Sequence, residues 1–227
     1  MVVPGFTRSA GAYNRFSGIG GPEQKWFDVN AAAIIPYGLG TAFQSLALVA
    51  QGAGPNQRVG RAITIRSIEV KINLNTFWQP GASGVLVQQP NSVSYRVDLI
   101  LDKQANGALP AAADIYDTAV ATVDATCRFP NLYNSDRFVW LKRWEGDINP
   151  PSFAAGNPSA GIVSVDRTLK TVKKCNVRME YSGAVGAVAE IRSNNIFLIY
   201  SATTSNAGAS QQTSVQSADA RIRFTDV

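Results

Sequence analysis

Apolar and polar residues alternate along much of this chain with a period of two, the spacing that places successive side chains on opposite faces of a β-strand. In residues 93–102 the odd positions are apolar and the even positions are mainly polar, with Ile100 as the exception. Residues 165–181 repeat the pattern over a longer and more basic run. Both segments predict strands that turn one face towards a core.

Runs of this kind are rich in Ile, Val and aromatic residues and are separated by stretches rich in Gly, Pro and Ser. The predicted strands cover residues 24–34, 63–74, 93–102, 137–145, 165–181, 185–192, 195–202 and 218–227. The second is the most informative, because Arg58 and Arg61 lead directly into a run that is longer than the roughly 5–6 residues of a typical strand. A long strand with a basic approach indicates a large sheet that meets an anion or a neighbouring subunit.

Sustained helical periodicity is nearly absent, and we expect only a short helix near residues 42–50 and a turn of helix at 111–116. The connections between strands are long and unequal, which argues against an up-and-down barrel. The pattern therefore predicts an all-β fold, a single eight-stranded antiparallel jelly-roll sandwich with Greek-key connections and long loops, in one domain over residues 23–227.

Residues 1–22 precede this domain and predict a flexible N-terminal arm, because they are rich in Gly, Ser and aromatic residues. Arg8 and Arg15 interleave with the aromatic residues, and the segment has no acidic residue. Such a mixture can stack on bases and contact phosphates, which favours nucleic acid or a neighbouring subunit as its partner. The alternative is an arm that docks its aromatic rings on its own domain.

The overall composition also favours an anionic partner. The chain of 227 residues is 45% hydrophobic, enough for a core, but only 16% charged, below the usual quarter of a soluble domain. Its formal net charge is +5 and its sequence pI is about 9.4. The excess of positive charge favours polyanions such as nucleic acid. No apolar run approaches the ~20 residues that span a bilayer, so no membrane partner is expected.

The residue types that common catalytic sites need are missing or scattered. The chain has no histidine, which excludes Ser-His-Asp and Cys-His arrangements and the commonest metal ligand. Its two cysteines, Cys127 and Cys175, are expected to be reduced and buried. The best acid pair, Asp98 with Asp102, is more simply a pair of solvated strand positions than a catalytic or calcium-binding site. We therefore expect no enzyme activity, no catalytic residue, no metal site and no cofactor.

Basic residues are the strongest candidates for a functional site, because most of them fall on the long predicted strands. In a sandwich, several could lie on one outer face and neutralise phosphates. The candidate nucleic-acid-binding residues are Arg8, Arg15, Arg58, Arg61, Arg66, Lys71, Lys170, Lys174 and Arg178. The alternative is that each is a solvated outward position, paired with an acid such as Glu69, Asp166 or Glu180.

Four segments, taken in order, carry a resemblance to a known family. PGFTRSAGAYNRF (4–16) is similar to a PGYTR-type opening segment, and EQKWFD (23–28) to a first jelly-roll strand. QGAGPNQRVGRAITIRSIEVKINL (51–74) is similar to a loop and second strand, and YRVDLILDKQANGALP (95–110) to a hydrophobic strand that ends in an Asp-Lys-Gln-x-Asn-Gly turn. The ordered set resembles the capsid proteins of circular Rep-encoding single-stranded DNA viruses, the CRESS-DNA or circovirus-like group.

This resemblance implies a virion protein that assembles with copies of itself into a small icosahedral shell, a T=1 particle of about 60 copies, around a circular single-stranded DNA genome. It also implies assembly in the host nucleus and a host-cell receptor of unknown identity. Members of the family usually begin with an arginine-rich arm, whereas only Arg8 and Arg15 precede Glu23 here. Packaging then relies on a basic arm upstream of Val2 or on the folded inner surface of the shell.

Two alternative functions remain open from the sequence. A carbohydrate-binding jelly-roll module would present clustered aromatic side chains, for which Trp78, Trp140 and Trp144 are candidates. A sandwich hydrolase would use an acid pair such as Asp98 with Asp102. In the capsid hypothesis, the loops expected to build subunit contacts or the outer surface are 75–92, 103–124 and 146–161.

Overall fold

A computed structural model describes residues 23–35, 41–78, 92–117, 126–149, 163–204 and 211–227, which form two antiparallel β-sheets. The strands are β1 (Gln24–Ile35), β2 (Ala42–Ser45), β3 (Ala62–Trp78), β4 (Val93–Asp102), β5 (Phe138–Ile148), β6 (Val163–Tyr181), β7 (Ile191–Ser193), β8 (Asn195–Thr204) and β9 (Gln211–Asp226). One short helix, α1 (Ala112–Ile115), lies where the turn of helix at 111–116 was predicted. The predicted arm, with Arg8 and Arg15, lies outside the described residues, as do parts of all three loops predicted to build contacts.

The strand pairing establishes the jelly roll. Five strands form one sheet in the order β1-β9-β3-β6-β7, and four form the other in the order β2-β8-β4-β5. Four antiparallel pairs are nested along the chain, with β4–β5 innermost, then β3–β6, β2–β8 and β1–β9. A long antiparallel hairpin gives this nesting when it rolls into two facing sheets, which is the jelly-roll sandwich. The predicted fold class is confirmed: the eight strands of the nested pairs form the jelly roll, and the short β7 extends the five-stranded sheet at its edge. One of the eight, β2, was not among the predicted strands.

Inward-facing side chains of the two sheets fill the space between them. On β3, Ile63 and Ile65 are fully buried, and so is every second residue from Ile68 to Leu74. The pairing with β9 shifts register just after Ile65, so that Arg66 is an extra, exposed residue and the alternation restarts one position later. This bulge allows a single long strand to keep its apolar face on the core along its whole length.

A smaller apolar cluster covers the other side of the four-stranded sheet. Ile100 of β4 packs there with Phe197 and Ile199 of β8, against Ile115 of α1 and the neighbouring Tyr116. The connection between β4 and β5 thus folds back over its own sheet. This covering explains why Ile100 interrupts the alternation of β4, since both faces of the strand are buried at that point.

The same covering encloses the two acids that were predicted to be solvated. Asp98 and Asp102 are both 0% exposed, so that prediction is wrong. Asp98 accepts hydrogen bonds from Arg96 Nε and Arg143 Nε, both at 2.8 Å, and from Tyr116 Oη at 2.6 Å. Burial raises the pKa of Tyr116 well above its usual range, and the neighbouring Asp98 carboxylate adds to the shift. The acids hold the covering connection in place through buried, paired charges.

The helix predicted near residues 42–50 is wrong. Residues Ala42–Ser45 form β2, which pairs antiparallel with β8 from Ala42 opposite Tyr200 to Ser45 opposite Phe197. Beyond β2, Leu46, Ala47 and Val49 enter the core without regular structure. The weak helical preference of an alanine-containing segment is overridden because β8 offers partners for its backbone and the core offers space for its side chains.

The strand predicted at 185–192 is also largely wrong. The Glu190 carboxylate accepts hydrogen bonds from the backbone N–H groups of Val185, Gly186 and Ala187 and closes a tight turn, and these bonds lower its pKa. Gly186 has φ of +80°, and a Cβ there would lie 2.7 Å from the carbonyl oxygen of Leu48, so glycine is required. Within the predicted segment only Ile191 and Arg192 are strand, as the first two residues of β7.

The last strand begins earlier than predicted, at Gln211 rather than at residue 218. The segment before residue 218 is polar, which made it resemble a loop. It forms strand because β9 lies between β1 and β3 and pairs with both.

Both cysteines are free. Cys127 is exposed, which corrects the prediction that it is buried, whereas Cys175 is half-buried and burial raises the pKa of its thiol. No helix in the described part of the chain is long and apolar enough to cross a membrane.

Candidate nucleic-acid interface

The side of the five-stranded sheet that faces away from the core is open and polar, and is called here the outer face. Residues directly opposite each other on antiparallel strands project to the same side, so the register gives the members of this face. One row across four strands consists of Asp28, Arg221, Glu69 and Val172. Because β1, β9, β3 and β6 are all long, such rows continue along the sheet and give a broad surface.

Positive charge gathers at one end of the outer face, near the start of β3. One row there runs from Trp26 on β1 through Arg223 on β9 and Ser67 on β3 to Lys174 on β6. The adjacent row reaches β6 at Arg178, and the bulged Arg66 donates a hydrogen bond to Asn176 beside it. The basic end is defined here as Trp26, Arg66, Lys174, Arg178 and Arg223.

Elsewhere on the outer face, acids neutralise the cations more fully. Arg221 donates two hydrogen bonds of 2.7 Å to the carboxylate of Asp28. These bonds lower the pKa of Asp28 and raise that of Arg221. A shallow depression of about 360 Å³ between β1, β9 and β3 is lined by this pair together with Glu69, Lys71 and Asp219. Its mixture of signs favours no single class of charged ligand.

The cations of the basic end are held more loosely. Arg178 lies 3.3 Å from Glu180, in a pair whose side chains are 61% and 51% exposed. Arg223 Nη2 lies 3.5 Å from Glu69. Among the described residues no carboxylate forms an ion pair with Lys174. Exposed pairs of this kind are worth little, so these cations can exchange their partners for phosphates at small cost.

Two lysines face each other further along the same strands. Lys71 on β3 is directly opposite Lys170 on β6. Lys71 is 58% exposed and reaches Glu69 only at 4.0 Å. Like charges in directly opposite positions destabilise a sheet, and an anion bound between them removes the repulsion. The pair therefore extends the region that could accept phosphates.

The structure brings together five of the nine residues predicted from the sequence. Those on the outer face are Arg66, Lys71, Lys170, Lys174 and Arg178. Arg61 is exposed where the chain enters β3, next to this face. Arg8 and Arg15 lie outside the described residues.

Arg58 lies inside the protein, which corrects its prediction as a nucleic-acid contact. Its side chain is 0% exposed, and its Nε donates to the carbonyl oxygen of Val49 at 3.0 Å. Its two terminal nitrogens donate to the carbonyl oxygens of Gly60 and Gly183. The guanidinium carbon lies 4.3 Å from the centre of the Tyr181 ring. Of the two arginines that precede β3, Arg58 is therefore a buried link between loops and not part of a basic surface.

Sequence reasoning missed Trp26 and Arg223 as members of the site. Alternation in the first and last strands predicts that both point outwards, but it does not show which strands are neighbours. The pairing of β1 with β9 and of β9 with β3 places them beside Lys174. Both residues could have been assigned to the site if the nested strand pairs had been predicted from the jelly-roll fold.

The site required by the carbohydrate hypothesis does not form from the described residues. A register shift between Leu99 and Ile100 in the β4–β5 pair places Trp144 against the main core and Trp140 against the smaller cluster, on opposite faces of β5. The side chain of Trp78 lies outside the description. The described residues also contain no group of three Cys, Asp or Glu side chains that could hold a metal ion.

Comparisons with known proteins give structural likenesses only, since no family model and no curated protein matches the chain. A structure of Desmodium yellow mottle tymovirus aligns with 91% of this chain and 90% of that chain, at 8% identity and a TM-score of 0.27. The Gt strain of infectious bursal disease virus aligns over 91% and 38%, at 10% identity and a TM-score of 0.26. Apo New Jersey polyomavirus VP1 aligns over 88% and 98%, at 6% identity and a TM-score of 0.28. These scores are low, so the jelly-roll assignment rests on the chain's own nested strand pairs.

Proposed function

We propose that the chain is a viral capsid protein, whose copies assemble into an icosahedral shell and whose outer face holds a single-stranded DNA genome by non-specific charge contacts. The observation that carries the proposal is the rolled pairing of β1 to β9, which leaves one open sheet face with its cations gathered at one end. The resemblance of the four sequence segments to circovirus-like capsid proteins supports the same function.

The two sheet faces differ in a way that suits a shell protein. The outer face of the five-stranded sheet is open, whereas the four-stranded sheet is covered on its outer side by the connection that contains α1. A subunit with basic residues on one open face would bind nucleic acid on that side only, which defines which side faces the interior of a shell. In the proposal, the open face lines the interior of a T=1 shell of about 60 copies, and assembly takes place in the host nucleus.

Electron microscopy of the purified protein, with and without nuclease treatment, tests the shell. Closed particles of uniform size are expected, with a ratio of absorbance at 260 nm to that at 280 nm that shows enclosed nucleic acid. A protein that stays monomeric across a range of salt and pH would contradict the shell.

A variant with fewer cations tests whether the outer face holds the nucleic acid. Replacing Lys174 and Arg178 with Gln should leave particles intact but reduce the nucleic acid they enclose, because two phosphate contacts are lost. The matched control replaces Lys142 on β5 and Lys103 in the connection that follows β4, which are exposed and belong to the other sheet, and it should enclose as much as the wild type. Equal loss in both variants would mean that total charge, rather than this face, holds the genome.

A further inference from the structure

We propose that Trp26 is a base-stacking platform that makes the basic end selective for single-stranded over double-stranded nucleic acid. The inference rests on the proposed function for the identity of the face. It adds a property that positive charge alone does not supply, because cations bind phosphates of either form.

Trp26 is exposed where tryptophan is usually covered. The residue is 45% exposed, on the outer face, although tryptophan is highly buried on average. The residue before it, Lys25, is anchored below the sheet, 3% exposed, by an ion pair of 2.8 Å with Asp226. The backbone N–H of Trp26 also donates to the carbonyl oxygen of Pro55 at 3.2 Å. The indole is therefore presented to solvent from a backbone that is fixed on several sides.

Cations lie beside the ring in the same row. Arg223 is directly opposite Trp26, so that their Cβ atoms are about 5 Å apart. Lys174 lies three strand spacings away, roughly 14 Å across the sheet. Arg223 contacts Glu69 through one terminal nitrogen, which leaves its other donors for an additional acceptor. An aromatic face followed by cations at increasing distance matches a nucleotide strand, with a base at one end and phosphates leading away from it.

Stacking distinguishes single strands because it needs an exposed base face. In a duplex the faces of the bases are already covered by their neighbours, so a duplex can use only the cations. Every base presents a π-face when unpaired, so the contact tolerates any sequence. Sequence tolerance is what a protein needs if it packages a whole genome.

Binding of two probes by the purified full-length chain, below the concentration at which it assembles, tests the inference. The probes are a fluorescein-labelled oligothymidylate and a DNA hairpin of equal charge whose loop and free end are both closed by non-nucleotide linkers, so that it offers no unpaired base and no open base face. Trp26→Ala should weaken oligothymidylate binding about tenfold, the expected effect of losing one stacked base, and change hairpin binding less than about twofold. Trp26→Phe should retain most of the affinity. Trp26→Leu keeps a large apolar side chain but has no aromatic face. It should therefore show the same selective loss of oligothymidylate binding, and it supplies the test if the alanine variant folds poorly.

Tyr133→Ala is the matched control. Tyr133 is 99% exposed, but it lies on the connection that covers the four-stranded sheet, so its loss should change neither affinity. Equal weakening of both probes by Trp26→Ala and Trp26→Leu, or no weakening of either, would overturn the stacking role. Neither binding result depends on particle formation, which electron microscopy of the same variants measures separately. Failure of the wild type to form particles would instead contradict the proposed function while leaving the stacking result intact.

Discussion

At the scale of single residues, the most consequential position is Arg58, a buried cation with neutral partners. It donates to three backbone carbonyls, those of Val49, Gly60 and Gly183, and stacks on the Tyr181 ring. The three carbonyls come from two loops that are distant in the sequence. One side chain thus supplies a donor to one buried and two partly buried carbonyls, and it joins both loops at the start of β3.

Arg58→Ala should therefore lower the free energy of unfolding by about 3–5 kcal/mol, because one buried and two partly buried carbonyls lose their donor and a cavity remains. Urea denaturation measures the change. Arg61→Ala is the control, since Arg61 is exposed three residues away, and it should shift stability by no more than about 0.5 kcal/mol. A change of less than about 1 kcal/mol in Arg58→Ala would show that the arginine is not the link between the loops.

A second residue-scale feature is a set of three buried tyrosines, Tyr116, Tyr181 and Tyr200, whose pKa values burial raises well above the usual range. In the unfolded chain these groups ionise near pH ~10, whereas in the folded protein they stay neutral. Their contribution to stability is complete below that pH and is lost as the pH rises above it, because only the unfolded state releases the protons.

Tyr200→Phe isolates one of these contributions. Among the described residues the Tyr200 hydroxyl has no hydrogen-bond partner, so the variant should be as stable as the wild type, or more stable, at pH 7. Between pH 10 and pH 11 it should lose about 1 kcal/mol less than the wild type. Urea unfolding at the three pH values gives both numbers, and identical alkaline losses would show that Tyr200 ionises in the folded state.

At the scale of elements, β3 and β6 determine both the core and the candidate site. Their register places the apolar side chains of β3 on the core, and it places Ser67 opposite Lys174 and Lys71 opposite Lys170 on the outer face. Within the described residues, β7 pairs with β6 only at Glu180 and Tyr181. Much of β6 is thus an edge, where lysines also discourage pairing with other strands. The basic residues of β6 have a structural use besides the proposed binding.

Lys170→Glu converts the like-charge pair with Lys71 into an opposite-charge pair. We expect the free energy of unfolding at low salt to rise by about 0.5 kcal/mol, and the gain to shrink as salt screens the charges. Lys142→Glu makes the same change of charge at an exposed position of the other sheet, opposite the uncharged Leu99, and serves as the control, with little expected effect. Thermal unfolding at two salt concentrations compares them. Equal shifts in both variants would mean that the lysines do not interact across the strands.

At the scale of the whole molecule, the rolled topology makes the two sides of the sandwich unequal. The small apolar cluster and the paired Asp98 close one side, and the other presents the outer face. Among the described residues, the open side offers an extended polyanion a sheet face with rows of cations. The basic end is assembled from β1, β9, β3 and β6, so it exists only when the roll is complete.

Affinity for single-stranded DNA should therefore depend on salt through this face. A plot of log K against log salt concentration should become shallower by about 0.7 for each cation removed in Lys174→Gln and Arg178→Gln. Lys142→Gln should leave the slope unchanged. Fluorescence anisotropy over a salt series provides the slopes, and a wild-type affinity independent of salt would contradict charge-based binding altogether.

The predictions from sequence succeeded where periodicity was strong and failed where backbone partners decided the outcome. The bounds of β4 agree with the prediction, because its alternation is clear. Segment 42–50 was misassigned because its strand depends on pairing with β8, which lies far along the chain. Segment 185–192 was misassigned because the Glu190 carboxylate closes a turn there, and strand propensity does not reveal such a side-chain contact. Arg58 was placed on the surface because a buried arginine is rare and nothing local indicates its three carbonyl partners.

By itself, the sequence determined that this chain is built of strands, that it lacks histidine chemistry, and that its cations fall on long strands. These properties depend on residue type and on spacing within one segment. The tertiary structure alone decided which cations share a face, that Trp26 and Arg223 join them, and that Arg58, Asp98 and Asp102 are enclosed. The physical reason is that strand neighbours are fixed by pairing across the roll, between segments as far apart as β1 and β9.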